Sequence, residues 1–244
     1  MTRTALVTGA GQNIGRAIAI ALARDGFDVA VNGLSNRAAT DETGNLVRAE
    51  GRQAVVAMGD TGSPEDCRTM VEATISAFGR LDVLVHNAAI RPSSPFLETS
   101  DEDWDRVMDV NLGGGVWLAR AALPGMVHRG WGRVVLFGGM NAIHGYNGRA
   151  ATSVSKHGLW GLAKSLGKEF GPKGVSTNLI SPGPIASEHA DPAMTAHIEG
   201  MKSRVPLGRL GQPDEVAAMV SLLASDKGGF INGQMIQVNG GAET

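Results

Sequence analysis

A glycine-rich turn near the N-terminus has the residue types and spacing needed to bind a pyrophosphate. It reads Thr8-Gly9-Ala10-Gly11-Gln12-Asn13-Ile14-Gly15, directly after a short apolar run and at the start of a helical pattern. Glycines let the backbone approach a phosphate closely, and the first N–H groups of the following helix face that phosphate. In this position the turn predicts a dinucleotide-binding site; a tight turn without a ligand is the alternative.

The residues after the second strand indicate which dinucleotide would fit. An Asp or Glu there would bond the ribose 2′-hydroxyl and repel a 2′-phosphate. Residues 31–37 contain no acid, whereas Ser35, Asn36 and Arg37 could receive a phosphate, which a guanidinium recognises well. We therefore expect NADP(H) to be favoured over NAD(H). The alternative is that Arg37 is only a solvated residue in the first turn of a helix.

The elements that position these residues alternate regularly along the chain. We predict strands at 4–8, 28–32, 54–58, 83–86, 134–137, 176–180 and 235–238, and helices at 14–24, 37–50, 64–78, 103–129, 152–170 and 213–224. This alternation is typical of α/β proteins. It predicts a single-domain Rossmann fold over residues 1–244, a doubly wound seven-stranded parallel sheet with helices on both faces.

One segment, 186–205, breaks this rhythm because it follows a strand and has weak periodicity. Ligands of open α/β sheets bind outside the carboxyl ends of the strands, so we expect a substrate lid here. A solvated loop with one helical turn is the alternative. The segment contains Glu188, His189, His197 and Glu199, but no pair has helical metal-ligand spacing with a supporting third ligand. We therefore expect no metal.

Composition limits the partners. The formal net charge of −2 gives no reason to expect nucleic acid or an anionic membrane, so a small-molecule substrate is favoured. No apolar run approaches the roughly 18 residues of a membrane-spanning helix, and the N-terminus has no signal-peptide pattern. We expect a cytoplasmic protein. The one cysteine, Cys67, is expected to pack inside a helix.

Taken together, the motifs resemble the short-chain dehydrogenase/reductase family, and members similar to 3-oxoacyl-acyl-carrier-protein reductases in particular. The turn matches the family's Thr-Gly-x-x-x-Gly-x-Gly, with Asn13 replacing the middle glycine; asparagine tolerates a left-handed backbone best among the other residues. Further matches are Asp60, His86-Asn87-Ala88-Ala89 in place of Asn-Asn-Ala-Gly, Asn111, and the segments 181–185, 206–209 and 238–241.

The resemblance implies an NAD(P)-dependent oxidoreductase acting on a small carbonyl or alcohol. It implies that Asp60 meets the adenine ring, that Asn111 holds a proton-relay water and that the chain forms a homotetramer or homodimer. The implied cofactor-binding residues are Gly9, Gly11, Asn13, Ile14, Gly15, Ser35, Asn36, Arg37, Asp60, Thr61, Asn87, Ala88, Lys156, Pro182, Gly183 and Ile185.

The catalytic positions depart from the family's pattern. Gly139 stands where the serine is expected and Thr152 where the tyrosine is expected, while Lys156 remains on the same helical face as Thr152. In the family, that lysine and the cofactor lower the tyrosine pKa so that the phenol exchanges a proton with the substrate oxygen. A threonine hydroxyl is too weak an acid, so Thr152 is expected only to hydrogen-bond the substrate. His144 and Tyr146 are candidate replacements; alternatively, each is solvent-exposed or satisfied by the backbone.

Weaker candidates for the proton are His86, at a strand end, and His157, beside Lys156 but turned about 100° round the helix. Three functions fit these residues: an oxidoreductase with a displaced acid, a non-redox lyase or isomerase that uses Lys156, and an inactive cofactor-binding subunit. Retention of Asn111 and Lys156 argues against the third. We expect the first.

Overall fold

The computed structural model describes residues 2–187 and 200–243 and contains one seven-stranded sheet. Its order is β3-β2-β1-β4-β5-β6-β7, and all paired strands run parallel. The strands are β1 Thr4–Val7, β2 Asp28–Val31, β3 Ala54–Val56, β4 Val83–His86, β5 Gly132–Phe137, β6 Val175–Pro182 and β7 Met235–Val238. The predicted doubly wound α/β fold is confirmed.

Helices cover both faces because successive strand residues point to opposite sides. Ala5 and Val7 of β1 belong to one core and Leu6 to the other. The first core packs beneath α1, α2 and α7, and the second beneath α3, α5 and α6. The α-helices of the described residues are α1 Asn13–Arg24, α2 Arg37–Ala49, α3 Pro64–Phe78, α4 Asp101–Met108, α5 Gly114–Arg129, α6 Ala150–Phe170 and α7 Pro213–Ala224. Apart from the helix predicted at 103–129, every bound agrees with the predicted one to within two residues.

The predicted continuous helix at 103–129 is wrong in one respect, because a π-helical turn at Asp109–Gly113 separates α4 from α5. In this π-helical turn the Asn111 side chain faces the loop after β4. There the Asn111 amide accepts a hydrogen bond from Ile90 N at 2.9 Å and donates one to Ile90 O at 3.0 Å. Such turns occur often at functional sites. Helical periodicity in the sequence does not reveal a turn that a distant loop stabilises.

The predicted lid at 186–205 lies mostly outside the described residues, and so do Glu188, His189, His197 and Glu199. Its last part forms a short 3₁₀ turn at Met201–Arg204. Over the residues that are described, no helix is long and apolar enough to cross a membrane, and no cluster of metal-ligand side chains occurs.

Candidate active site

The glycine-rich turn leads from β1 into α1 with a backbone that few residue types allow. Gly9 has φ +61°, and Asn13 has φ +50°, the one positive value at a non-glycine residue of the described chain. The left-handed conformation expected for Asn13 is therefore present. A Cβ atom on Gly15 would lie 2.1 Å from Gly9 O, so only glycine fits there. Gln12 precedes α1 without a side-chain cap, which leaves the helix N–H groups facing the turn.

Two asparagines brace this turn against neighbouring strands. Asn32, just after β2, accepts a hydrogen bond from Gly9 N at 3.2 Å and donates to Ala57 O at 2.9 Å. Asn87, just after β4, donates to Thr8 O at 3.0 Å. The sequence motifs predict Asn87 as a site residue but not Asn32, although a polar residue at the end of a buried strand is a usable signal. Together they fix the backbone groups that a pyrophosphate would meet.

Side chains on the adenosine side of the turn are already partly engaged. Burial alone would raise the pKa of Asp60, but hydrogen bonds from Arg106 and from Gly62 N lower it overall. Asn36 caps α2 by accepting from Ala39 N at 3.1 Å, and the exposed Arg37 lies 3.5 Å from the Asp41 carboxylate. Because this Arg37 pair is exposed, it is weak and leaves the guanidinium available to a phosphate.

The expected catalytic lysine is buried on α6. Lys156 donates a 2.7 Å hydrogen bond to Phe137 O. Burial, with the nearby Arg91 charge adding to it, lowers the pKa of this amine to about 7. One turn earlier, Thr152 is 1% exposed and its Oγ1 has no hydrogen-bond partner among the described residues. A buried hydroxyl without a partner costs free energy unless a ligand completes it.

Gly139, at the end of the loop after β5, has φ +75° and ψ −180°. That backbone region is essentially confined to glycine. A Cβ atom there would contact only Pro182 O, at 4.0 Å, so the constraint comes from the backbone and not from crowding. A serine at this position would have to adopt that unfavourable backbone conformation.

His144 and Tyr146 meet at the carboxylate of Glu243 near the C-terminus. His144 Nε2 lies 2.5 Å from Glu243 Oε2, and Tyr146 donates a hydrogen bond to Glu243 Oε1 at 3.2 Å. Burial and the negative Glu243 raise the Tyr146 pKa, which makes the phenol a poorer acid. Since neither residue is simply solvated, this carboxylate is the partner that sequence reasoning missed, almost 100 residues away.

His86 is fully buried between the turn and the π-helical segment. Its Nε2 lies 3.0 Å from Asn111 O, and its Nδ1 lies 3.4 Å from Thr8 Oγ1. A Cβ on Gly114 would come within 2.9 Å of the imidazole, so glycines 114 and 115 make room for the ring. Burial, and then the Lys156 charge, lower the His86 pKa to about 4. The ring is neutral near pH 7. His157 is exposed and bonds Ser153 O at 2.9 Å.

The loop after β6 completes the edge of the site. Ser181, near the end of β6, has a buried Oγ without a partner among the described residues, and Ile185 in the loop forms a bridge to Gly211. Gly183 packs against Asn239, where a Cβ would lie 2.6 Å from the Asn239 Cα. A cavity of about 310 Å³ lies between this loop and the segment after β7. The uncapped helix, the braced turn and these polar atoms fit a dinucleotide laid across the strand ends.

Comparisons with known proteins agree with this geometry. A family profile described as Enoyl-(Acyl carrier protein) reductase matches residues 9–243. A 3-oxoacyl-[acyl-carrier-protein] reductase FabG of Staphylococcus aureus is 35% identical over 241 residues, covering 99% of this chain and 98% of that protein. The chain belongs to the short-chain dehydrogenase/reductase family. Nodulation protein G of Azospirillum brasilense is 36% identical over 239 residues, covering 98% and 97%.

Solved structures of this short-chain dehydrogenase/reductase fold superpose closely. A short chain dehydrogenase of Burkholderia cenocepacia in complex with NADP has a TM-score of 0.92 at 31% identity, covering 99% of this chain and 98% of that one. A putative short-chain alcohol dehydrogenase of Sinorhizobium meliloti has a TM-score of 0.93 at 29% identity, covering 99% and 97%. Membership of this oxidoreductase family supports a nicotinamide cofactor.

The buried His86 gives this short-chain dehydrogenase/reductase a measurable acid sensitivity. An unfolded histidine has a pKa near 6.5, so between about pH 6.5 and 4 the unfolded state binds more protons than the folded state. Stability is then full above pH 6.5 and falls as the pH drops towards 4. Relative to the His86→Asn variant, the free energy of unfolding of the native chain should fall by roughly 3 kcal/mol over this pH window. Urea unfolding at several pH values measures this; parallel curves for the two proteins would contradict it.

Proposed function

We propose that this protein is an NADP(H)-dependent oxidoreductase that interconverts a small carbonyl compound and its alcohol. One observation carries the proposal. A dinucleotide-type turn and a buried lysine with a pKa of about 7 lie together at the carboxyl edge of one sheet. The turn supplies a place for the pyrophosphate. The lysine supplies a group that gains and loses a proton near neutral pH.

The dinucleotide would be held by the turn at 8–15, by Asn87 and Ala88, and by the loop 181–185. When bound, it supplies or accepts the hydride. Preference for NADP over NAD is supported by the lack of an acid after β2 and by the exposed Arg37 beside Ser35 and Asn36. A 2′-phosphate there would gain a guanidinium partner and meet no carboxylate from this loop. We further propose that the chain works as a homotetramer or homodimer.

Proton transfer must proceed without the family's tyrosine. Lys156 is the first candidate acid, because it lies one turn after Thr152 on α6 and its low pKa suits proton exchange near pH 7. Thr152, one turn earlier on α6, offers its unpartnered hydroxyl to the substrate oxygen as a hydrogen-bonding group. His144 is the second candidate, since Glu243 orients its imidazole as a carboxylate orients a general acid-base histidine. Tyr146 is the weakest, because its pKa is raised.

The direct test measures NADPH oxidation at 340 nm with a panel of small aldehydes and ketones. Carbonyl reduction needs the acid in its protonated form, so the rate should fall as the pH rises through about 7. His144→Gln should leave the rate and this profile in place if Lys156 is the acid, and a large loss of rate would point to His144 instead. Binding of NADPH without consumption across the whole panel would favour a non-redox or regulatory protein.

Thr152→Val tests whether the orphan hydroxyl serves the substrate. Valine has nearly the same shape, so removing a buried hydroxyl without a partner should leave stability unchanged or slightly higher. The reductase rate should fall about 10-fold or more if the hydroxyl bonds the reacting oxygen. Thr177→Val is the matched control, because Thr177 Oγ1 is likewise buried without a described partner but lies near the start of β6. Equal rates in the two variants would remove Thr152 from the mechanism.

A further inference from the structure

Two arginines lie beside the proposed substrate pocket without an anion to balance them. Arg91 directly follows Ile90, whose backbone is bonded twice to the Asn111 side chain. Arg149 directly precedes α6, the helix that carries Thr152 and Lys156. Within the described chain, neither guanidinium has an ion pair or a side-chain hydrogen bond. Arg91 is exposed and Arg149 is half-buried, so both are open to a ligand.

A backbone contact holds the two arginine-bearing loops together. Ser94 N donates a 2.9 Å hydrogen bond to Gly148 O, and a Cβ atom on Gly148 would lie 3.0 Å from Ser93 Oγ. With φ +69°, Gly148 adopts a backbone that favours glycine. This contact places Arg91 and Arg149 on adjacent loops. Arg91 is next to Ile90, which Asn111 holds, and Arg149 is next to the first residue of α6.

Their charges act on each other and on the buried lysine. The Arg149 charge repels that of Arg91, and the Arg91 charge adds to burial in lowering the pKa of Lys156. Among the residues that the structure describes, the Glu243 carboxylate in this region already bonds His144 and Tyr146. It therefore does not balance Arg91 or Arg149. Clustered cations of this kind attract an anion, and the planar guanidinium fork matches carboxylate and phosphate oxygens.

We propose that the substrate is an anion, a small oxo or hydroxy compound whose carboxylate or phosphate binds Arg91 and Arg149 while its reacting carbon faces Thr152. This inference rests on the proposed function, because it assigns a substrate class to the same pocket. The two arginines bind and orient the substrate, and the charge of Arg91 also tunes Lys156.

The test compares NADPH oxidation within two matched pairs, 3-oxobutanoate against its methyl ester and dihydroxyacetone phosphate against dihydroxyacetone. In at least one pair the anion should have a higher kcat/KM than its neutral partner. The pair that shows this preference tells whether the site takes a carboxylate or a phosphate. Arg91→Gln and Arg149→Gln should each lower the kcat/KM of that anion about 10- to 100-fold, the range of charge-assisted hydrogen bonds. Arg149→Gln should lower the value of the neutral partner much less than that of the anion. Arg120→Gln, at an exposed residue of α5, is the control.

Two further measurements separate binding from structure and from chemistry. Arg91→Gln should move the pH profile of neutral-substrate reduction to higher pH, because Lys156 loses a neighbouring positive charge. Calorimetry of the NADP⁺ complex should detect binding of butanoate but not of butanamide. The Arg91→Gln variant should not bind butanoate. Arginine-dependent butanoate binding without turnover of any compound would refute the proposed function but keep the anion site. No anion preference in either pair together with no arginine-dependent binding would overturn the inference.

Discussion

Replacing Lys156 with methionine is expected to lower hydride transfer by about 1,000-fold or more while the protein stays folded. The amine is the buried group whose pKa, about 7, suits proton exchange at the substrate oxygen. Methionine keeps a similar length and is readily accommodated in a core. Single-turnover oxidation of bound NADPH measures the loss, and cofactor fluorescence checks that NADPH still binds. Lys168→Met, at an exposed position of α6, should leave the rate unchanged.

The same substitution should change how stability depends on pH. Because the folded lysine has a pKa near 7 and an unfolded one a pKa near 10.4, the unfolded state binds more protons between these values. The native chain is therefore destabilised at pH 7. Between pH 7 and 9.5 its free energy of unfolding should rise by roughly 3 kcal/mol relative to that of Lys156→Met. Denaturant unfolding at these two pH values measures the difference. An unchanged difference would mean that Lys156 keeps an ordinary pKa, and the acid would have to be sought elsewhere.

Gly15→Ala is expected to abolish dinucleotide binding and to destabilise the fold by about 3 kcal/mol or more. The new Cβ would stand 2.1 Å from Gly9 O and 2.8 Å from the Asn87 amide, so the turn and its brace must both move. The backbone of the turn is held by hydrogen bonds, so it cannot move aside as easily as the end of a flexible side chain would. Titration of NADPH fluorescence and urea unfolding measure the two effects.

Gly161→Ala is the matched control for this substitution, since Gly161 lies inside α6 with no atom within 4 Å of an added Cβ. Alanine in a helix interior should stabilise the protein by up to about 1 kcal/mol and leave cofactor binding unchanged. If Gly15→Ala bound NADPH as well as Gly161→Ala does, the turn would not be the pyrophosphate site.

The parts of the molecule that the sequence predicted well depend on local pattern. The strand-to-helix turn, the left-handed Asn13 and the seven parallel strands follow from residue types within a few positions and from the alternation of elements. Lys156 and Thr152 could be placed on one helical face for the same reason.

The parts that sequence did not reveal depend on contacts between distant segments. The π-helical turn forms around the bonds between Asn111 and Ile90, and the partners of His144 and Tyr146 come from Glu243 near the other end of the chain. The sequence alone makes His86 only a weak catalytic candidate, because only the fold shows that a neutral ring fills the space above Gly114. It likewise does not show that Arg91 and Arg149 lie on loops in contact, because that contact joins distant segments.

The backbone at Gly139 bears on how this active site can be re-engineered or re-evolved. Threonine and tyrosine at position 152 differ in side chain alone, but a serine at position 139 would have to occupy φ +75°, which L-residues avoid. Putting back both hydroxyls of the family's pattern therefore requires the loop after β5 to re-form as well as two substitutions. The two departures are unequal. The change at position 152 exchanges side chains alone, whereas the change at position 139 also needs a new backbone conformation.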